Sequence, residues 1–265
     1  MTLFADPSFF VLLAAAVAAA AAIGLSGHTL RHYGLAVSVG FLACVFLKTP
    51  AQLAALLGFL AVARASVLFL ARNPKDRRRY LVSVASTLAP LVVYKVSAVF
   101  DQSLWGFVGV SYVTFKAVQV VIEVHDGLIP REELGLEDWL YFLLFFPQFS
   151  SGPIDRSRRF FADAHATLGR DDYAGMLTRG ILLLLSGAVY KVVAATWIHR
   201  FYAPSAVGDA WAQVQTALLY GLYLFCDFQG YSLMAMGASY CLGIRCPRNF
   251  RAPFAAVDII DFWNR

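Results

Sequence analysis

The chain has 265 residues, of which 59% are hydrophobic and only 15% charged, whereas soluble domains have about 45–50% apolar and about 25% charged residues. This composition excludes an ordinary water-soluble domain. The net charge of +5 does not indicate a nucleic-acid-binding protein, because the basic residues fall in short loops between apolar blocks and not on one solvated face.

Seven apolar segments approach the length of about 20 residues that a membrane helix needs to cross the hydrocarbon core. They are residues 8–25, 33–48, 52–71, 80–100, 104–124, 173–198 and 211–226. The first is predicted to be a membrane helix and not a signal peptide, because Asp6 precedes it and no Lys or Arg does. Two shorter stretches, 139–149 and 229–243, are predicted to be re-entrant or broken helices. No linker divides the chain, so residues 1–265 are predicted to form one all-α, polytopic membrane domain.

The basic loop at residues 72–79 predicts the orientation, because positively charged loops remain in the cytoplasm. With this loop inside, the N-terminus lies outside and the loop that contains Arg31 lies inside. The segment 125–138 and the arginines that follow residue 155 also belong on the cytoplasmic side. Residues 139–153 are therefore predicted to enter and leave the membrane on the same face.

One predicted span, 104–124, carries a polar stripe whose members recur at helical spacing and share one face. The stripe consists of Tyr112, Lys116, Gln119 and Glu123. A charge at mid-membrane costs at least ~2.5–3.5 kcal/mol, so such residues usually face a polar interior or a partner. The stripe is predicted either to form one wall of a polar cavity or to lock the bundle through an interhelical network, with Lys95 or Lys191 as partners.

The most specific run in the chain is YFLLFFPQFSSGPIDR at residues 141–156. Its two prolines each remove a backbone donor, and its glycine allows unusual dihedral angles. A broken backbone at membrane depth is tolerated only beside protein or a water-filled cavity, so the run is predicted to lie inside a helical bundle and to shape a passage. The residues assigned to this element are Pro147, Ser150, Ser151, Gly152, Pro153, Asp155 and Arg156.

This run resembles the aromatic, Phe-Phe-Pro and Gly-Pro-Ile pattern of the membrane-bound O-acyltransferase (MBOAT) superfamily, in the form that its DltB-type D-alanyl transferases have. Residues 109–127 and 187–192 are similar to two further family stretches. The block DFQGYS at 227–232, which leads to DFWNR at 261–265, is similar to the approach to the family's catalytic motif. The likeness covers about residue 90 to the end. It implies that four residues lie near the catalytic motif, namely Asp227, Tyr231, Trp263 and Arg265.

The resemblance implies an MBOAT-like helical bundle in the bacterial cytoplasmic membrane that transfers a D-alanyl group. The donor would be a thioester on the phosphopantetheine arm of a cytoplasmic carrier protein, and the acceptor a hydroxyl of teichoic acid, another envelope polymer or a glycolipid. No bound cofactor and no metal are expected. Arg156, Arg158 and Arg159 suit an acidic carrier surface, but they equally suit simple cytoplasmic charge.

Three alternatives stay open. One is acetyl transfer to an exported polysaccharide, as in the alginate branch of the superfamily. Another is a channel or transporter, which buried charges and broken helices would also suit. The third is an inactive fragment, because the family's catalytic Trp-His follows the Asp-Phe-Trp-x-Arg motif and the sequence ends at Arg265. About two thirds of a family member, without the catalytic His, is therefore expected.

The cysteines and histidines give no sign of a metal site. The cysteines have no paired spacing and are expected to be packing residues. They are Cys44, Cys226, Cys241 and Cys246. None of the histidines occupies the family's catalytic position, and all are expected at interfaces or in packing. They are His28, His32, His125, His165 and His199.

Overall fold

A computed structural model describes residues 3–4, 6–100, 106–201 and 210–265. Most of these residues are helical and none of them forms a strand, so the all-α prediction is confirmed. The helices are α1 (Pro7–Leu25), α2 (Arg31–Phe46), α3 (Pro50–Ala71), α4 (Arg77–Val99), α5 (Val110–His125), α6 (Leu136–Leu144), α7 (Ser157–His165), α8 (Arg170–Ala188), α9 (Thr196–His199), α10 (Ala210–Cys241) and α11 (Ile259–Asn264). Short 3₁₀ turns lie at Arg131–Glu133, Phe146–Gln148 and Pro253–Ala255, and a π-helical segment, Val189–Ala195, joins α8 to α9.

Among the described residues, four helices are long and apolar enough to cross a membrane. They are α1, α3, α4 and the continuous run Arg170–His199, which comprises α8, the π-helical segment and α9. Helix α2 is apolar but has only 16 residues. The prediction of a polytopic membrane protein is confirmed. The predicted span 104–124 forms α5, which begins at Val110, and residues 104 and 105 lie outside the described residues.

The prediction of a separate short element at 229–243 is wrong. Residues 211–226 and most of 229–243 belong to one helix, α10, of 32 residues. The polar residues at its middle do not interrupt it because Asp227 has an ionic partner, Lys191. Gly230 does not end it either, because the missing side chain allows a neighbouring helix to approach closely.

Capping side chains determine where two of the membrane helices begin. Helix α1 begins with Pro7 after Asp6, whose carboxylate accepts a hydrogen bond from the Ser8 amide at 3.0 Å. Helix α4 begins after Asp76, whose carboxylate accepts one from the Arg78 amide at 2.8 Å. Each carboxylate satisfies a backbone donor that the first helical turn leaves free.

The helices form two groups around a central segment that leaves α-helical geometry, residues 145–155, which is named the broken element. Helices α3, α4 and α5 pack on one another, and α8 packs along α10. Between these groups, α6 contacts α2, α5 and α7, and the 3₁₀ turn Phe146–Gln148 contacts α2 and α10. The run that contains Gly-Pro-Ile therefore lies at the centre of the bundle.

The α8–α10 contact depends on glycines at the crossing. A Cβ atom on Gly230 would lie 2.7 Å from the backbone nitrogen of Lys191 and 2.8 Å from the carbonyl oxygen of Gly187. A Cβ atom on Gly187 would lie 2.6 Å from the carbonyl oxygen of Gly230. The two backbones touch directly, which is the packing that small residues allow in membrane helices.

We expect Gly230→Ala to lower the free energy of unfolding by about 1–3 kcal/mol, because the added methyl group has no space at the helix crossing. Thermal unfolding of the detergent-solubilised protein measures this. Gly221→Ala is the matched control on the same helix, since nothing lies within 4 Å of its added Cβ atom. Equal destabilisation by both substitutions would contradict the proposed close contact.

Candidate functional site

The broken element is fixed by aromatic packing. Helix α6 ends at Leu144, and the chain continues through a 3₁₀ turn that contains Pro147. Phe145, Phe146 and Phe149 are fully buried. The ring of Phe146 stacks on Phe41 of α2 with centroids 4.4 Å apart. The element is thus held within protein and not at a free surface, as the sequence predicts.

Gly152 and Pro153 complete the element and are both buried. Gly152 has a φ of +107°, which side-chain-bearing residues rarely adopt. A Cβ atom there would also lie 3.2 Å from the Cβ atom of Ala235 on α10. Glycine is therefore required both for the turn and for the approach to α10.

A hydrogen bond joins the element to α10. The hydroxyl groups of Ser150 and Tyr231 lie 3.0 Å apart. Tyr231 is buried, whereas Ser150 and its neighbour Ser151 are half-buried. The structure thus brings together two motifs that are 81 positions apart in the sequence.

Asp155 is buried at the end of the element, with 1% of its surface exposed. One carboxylate oxygen accepts hydrogen bonds from the Arg156 amide at 2.7 Å and from the Arg159 guanidinium. Burial raises the pKa of the Asp155 carboxyl to about 6, although the positive charge of Arg159 acts in the opposite direction. The side chains of Arg156, Arg158 and Arg159 remain on the surface.

The polar stripe of α5 makes contacts with the elements around it. Lys116 is fully buried, donates a hydrogen bond to the Phe142 carbonyl and lies 4.6 Å from the centroid of the Phe142 ring. It thereby satisfies one of the carbonyls that the end of α6 leaves free. Glu123 accepts hydrogen bonds from Gln119 at 3.1 Å and from Ser157.

These contacts resemble the predicted locking network, but its expected partners were wrong. Lys191 pairs with Asp227, and Lys95 lies over the ring of Tyr94 at 5.8 Å. Tyr112 is half-buried on the same helix. The interpretation of the stripe as a cavity wall stays a prediction.

An ionic cluster at the start of α6 was missed by the sequence analysis. The Arg31 guanidinium donates to Asp138 at 2.7 Å and to Glu137 at 3.1 Å. The Nε2 atom of His165 lies 3.0 Å from Asp138, and His32 contacts Glu137. The two acidic residues in the first turn of α6 were the sequence feature that could have indicated this cluster. The cluster ties α2 and α7 to α6.

Three of the four residues predicted near the catalytic motif line one groove. Asp227 on α10 faces it together with Trp263 and Arg265 from the C-terminal segment. The groove has a volume of about 790 Å³, and its walls are mostly apolar side chains of α10 and of residues 249–263. Tyr231 does not line it and points instead to the broken element.

Few polar groups face this apolar groove. They are Asp227, Arg265 and Asn249, a residue that the sequence analysis did not single out. Lys191 of the π-helical segment forms an ion pair with Asp227. Arg265 donates to Asp261 at 2.8 Å, which fixes the end of the groove. A concave apolar site with a few converging polar groups is the usual form of a substrate site.

Within the described residues, no three His, Cys, Asp or Glu side chains are grouped so that they could hold a metal ion. The cysteines of this part of the chain are free, and Cys226, Cys241 and Cys246 are buried whereas Cys44 is exposed. The prediction that all four are packing residues is therefore wrong for Cys44, which lies on the outer surface of α2.

The chain is similar to known bacterial proteins along its length. It is 34% identical to the teichoic acid D-alanyltransferase of Bacillus subtilis, over 100% of this chain and 71% of that protein. It is 37% identical to the teichoic acid D-alanyltransferase of Streptococcus thermophilus, over 73% of this chain and 49% of that protein. The probable alginate O-acetylase AlgI of Pseudomonas aeruginosa is 33% identical over 60% of this chain and 30% of its own length. No model of a protein family matches the chain.

Asp155→Asn tests the buried carboxyl through the pH dependence of stability. Because the folded-state pKa of about 6 exceeds the ordinary value of 3.8, the folded protein retains a proton between these pH values that the unfolded chain has lost. Relative to Asp155→Asn, the unchanged protein should therefore lose up to about 3 kcal/mol of unfolding free energy as pH rises from about 4 to about 6. Thermal unfolding of both proteins across this range measures the difference. A difference that stays constant with pH would contradict the raised pKa.

Proposed function

The chain belongs to the family of the teichoic acid D-alanyltransferases, and we propose on that basis that it takes part in the transfer of D-alanyl groups to hydroxyls of teichoic acid or a related envelope polymer. The groove lined by Asp227, Asn249 and Arg265 is the observation that carries the proposal. Asp227 lines the groove from α10, and Tyr231, one turn further along the same helix, contacts the broken element.

The reaction is an acyl transfer from an activated donor. The acceptor hydroxyl attacks the thioester carbonyl, the acceptor proton passes to a base, and the carrier thiol leaves. A general base typically contributes about 10²–10⁴-fold to such a step. We assign this base to none of the residues that the structure describes.

The donor is a D-alanyl thioester on the phosphopantetheine arm of a carrier protein at the cytoplasmic face. Arg156 and Arg158 are exposed at the start of α7, next to the broken element, and are available to an acidic partner. Arg159 pairs with Asp155 and thereby joins this surface to the buried element. The protein would act in the bacterial cytoplasmic membrane.

Acetyl transfer to a polysaccharide is the second candidate, because the AlgI proteins are also similar to the chain. D-alanyl transfer is favoured because the Bacillus subtilis relative matches all of the chain, whereas the AlgI match covers 60% of it. Membranes that contain the protein expressed from its full reading frame should be incubated with carrier charged with radiolabelled D-alanine. We expect base-labile label in teichoic acid. A parallel incubation should contain a radiolabelled acetyl donor in place of the charged carrier. Transfer of label from the acetyl donor alone would overturn the assignment.

Asp227→Asn should lower the transfer rate by about tenfold or more, since a loss of about 1.4 kcal/mol in the stabilisation of the transition state already has this effect. The substitution keeps the shape of the side chain but leaves the Lys191 ammonium without its ionic partner at the edge of the groove. The initial rate of D-alanyl incorporation measures the effect. Asp126→Asn is the control, because it makes the same chemical change at an exposed position. Unchanged activity in Asp227→Asn would remove this residue from the site.

Replacing Arg156 and Arg158 together by Gln should raise the apparent KM for an acidic carrier several-fold without changing kcat. Charged side chains at the rim of an interface act mainly on the rate of association, so the rise in KM should be smaller at high salt. The matched control replaces Arg77 and Arg78, which are exposed in the other basic loop predicted to be cytoplasmic. If both pairs had the same effect, the arginines of α7 would contribute only general positive charge.

A further inference from the structure

An apolar groove lies between α2 and α3, and the proposed reaction does not use it. This α2–α3 groove has a volume of about 170 Å³, and every side chain that lines it is hydrophobic. It shares no lining residue with the larger groove on α10. Its two walls are formed by Val39, Ala43 and Phe46 of α2 and by Leu53, Leu57 and Leu60 of α3.

The two walls of the α2–α3 groove are continuous helix faces. On each helix the wall residues recur at intervals of four and three, the spacing that places side chains on one face. The two helices follow each other directly and are joined by residues 47–49, yet they pack on each other much less closely than α3 and α4 do. A space therefore remains between two apolar faces, and no described side chain fills it.

The floor of the α2–α3 groove adjoins the broken element. Leu144, the last residue of α6 before that element, lines the groove and is 9% exposed. Phe46 is 1% exposed, and its ring packs on Phe149 of the broken element with centroids 5.8 Å apart. A molecule in the groove would therefore contact residues that hold the broken element in place.

The rim of the α2–α3 groove is open. Leu47 and Leu57 at the rim are 71% and 57% exposed, and α3 is long and apolar enough to cross a membrane. The groove follows α2 from Leu47 to Val39, which is about 12 Å at 1.5 Å per residue. An apolar cavity of about 150 Å³ stays free of water and takes up apolar molecules. The open side of the groove is therefore suited to the hydrocarbon chains of the membrane.

A basic residue lies at the loop end of the α2–α3 groove. Lys48 follows Leu47 directly and is exposed. Asp6 is close enough to interact electrostatically with Lys48, but its carboxylate already accepts hydrogen bonds from Ser8 at the start of α1. An exposed ammonium beside a membrane attracts negatively charged headgroups. The charge at this end of the groove therefore favours an anionic lipid.

We propose that the α2–α3 groove binds one acyl chain of an anionic phospholipid whose phosphate lies at Lys48. A methylene group has about the size of a water molecule, roughly 30 Å³, so the groove holds about six methylene groups, which is part of one chain. The bound chain completes the packing between α2 and α3 and supports Leu144 and Phe46 behind the broken element.

Native mass spectrometry tests this proposal without depending on acyl transfer. The whole protein, stripped of lipid in mild detergent, should be incubated with equal amounts of phosphatidylglycerol and phosphatidylcholine that have identical oleoyl chains. We expect about fivefold more bound phosphatidylglycerol than phosphatidylcholine, and Lys48→Gln should abolish this preference. Lys95→Gln is the matched control, because it removes the same charge from an exposed position on α4 and should leave the preference unchanged.

Ala43→Phe tests the site of the chain itself. The added ring occupies the groove and removes the contacts of the chain, so bound phosphatidylglycerol should fall at least about threefold. Cys44→Phe is the matched control, because it introduces the same ring at an exposed neighbouring position that does not line the groove. If Ala43→Phe fails to fold, Leu57→Trp at the exposed rim replaces it, with Leu68→Trp outside the groove on the same helix as its control.

Three results would overturn the proposal. In the first, the unchanged protein binds the two phospholipids equally. In the second, a folded Ala43→Phe or Leu57→Trp protein retains as much phosphatidylglycerol as its control. In the third, the unchanged protein is a lipid-free dimer and Ala43→Phe is a monomer, which would show that a second copy of the chain covers the groove.

Discussion

A backbone that leaves helical geometry inside an apolar bundle must find other partners for its amide and carbonyl groups, and this requirement organises the middle of the molecule. The Phe146 amide reaches the Ser38 hydroxyl of α2 at 3.4 Å, and the next free amide, that of Gln148, bonds to the Phe145 carbonyl at 3.1 Å. The Lys116 ammonium of α5 donates a hydrogen bond to the carbonyl of Phe142. Helices α2 and α5 therefore each supply a partner for a backbone group at the break.

Helix α10 connects the two regions that the proposed reaction uses. Asp227 faces the groove, and Tyr231, one helical turn later, contacts the Gly-Pro-Ile element. A continuous helix holds these two side chains one turn apart, whereas the sequence predicts a span that ends at residue 226 and a separate short element at 229–243. The ion pair between Asp227 and Lys191 also ties this helix to the neighbouring span. In this way the broken element and the groove are joined through one helix.

Local patterns made part of this structure predictable. Apolar length located the long spans, and the prolines and Gly152 located the break, because these features act through the chain's own backbone. The continuity of α10 was missed because its polar middle is compatible with a helix only when Lys191 lies opposite Asp227. The partner of Lys116 was equally hidden, since it is a backbone carbonyl that any residue could provide. The ionic cluster at Asp138 and the groove at Asn249 depend on the register between helices, which a single sequence does not display.

The π-helical segment Val189–Ala195 has a consequence for how this span can change during evolution. A π turn usually marks one extra residue in an α-helix, so the residues beyond it are rotated by about 100° from where an uninterrupted helix would place them. In this register, Ala195 and Ile198 are buried beside Cys226, while Trp197 faces outward. A regular α-helix with the same number of residues would turn the Trp197 side of the helix toward the protein, whereas loss of one residue together with the π turn would leave the buried and outward faces where they are. The length of this segment and its irregular turn can therefore change only together.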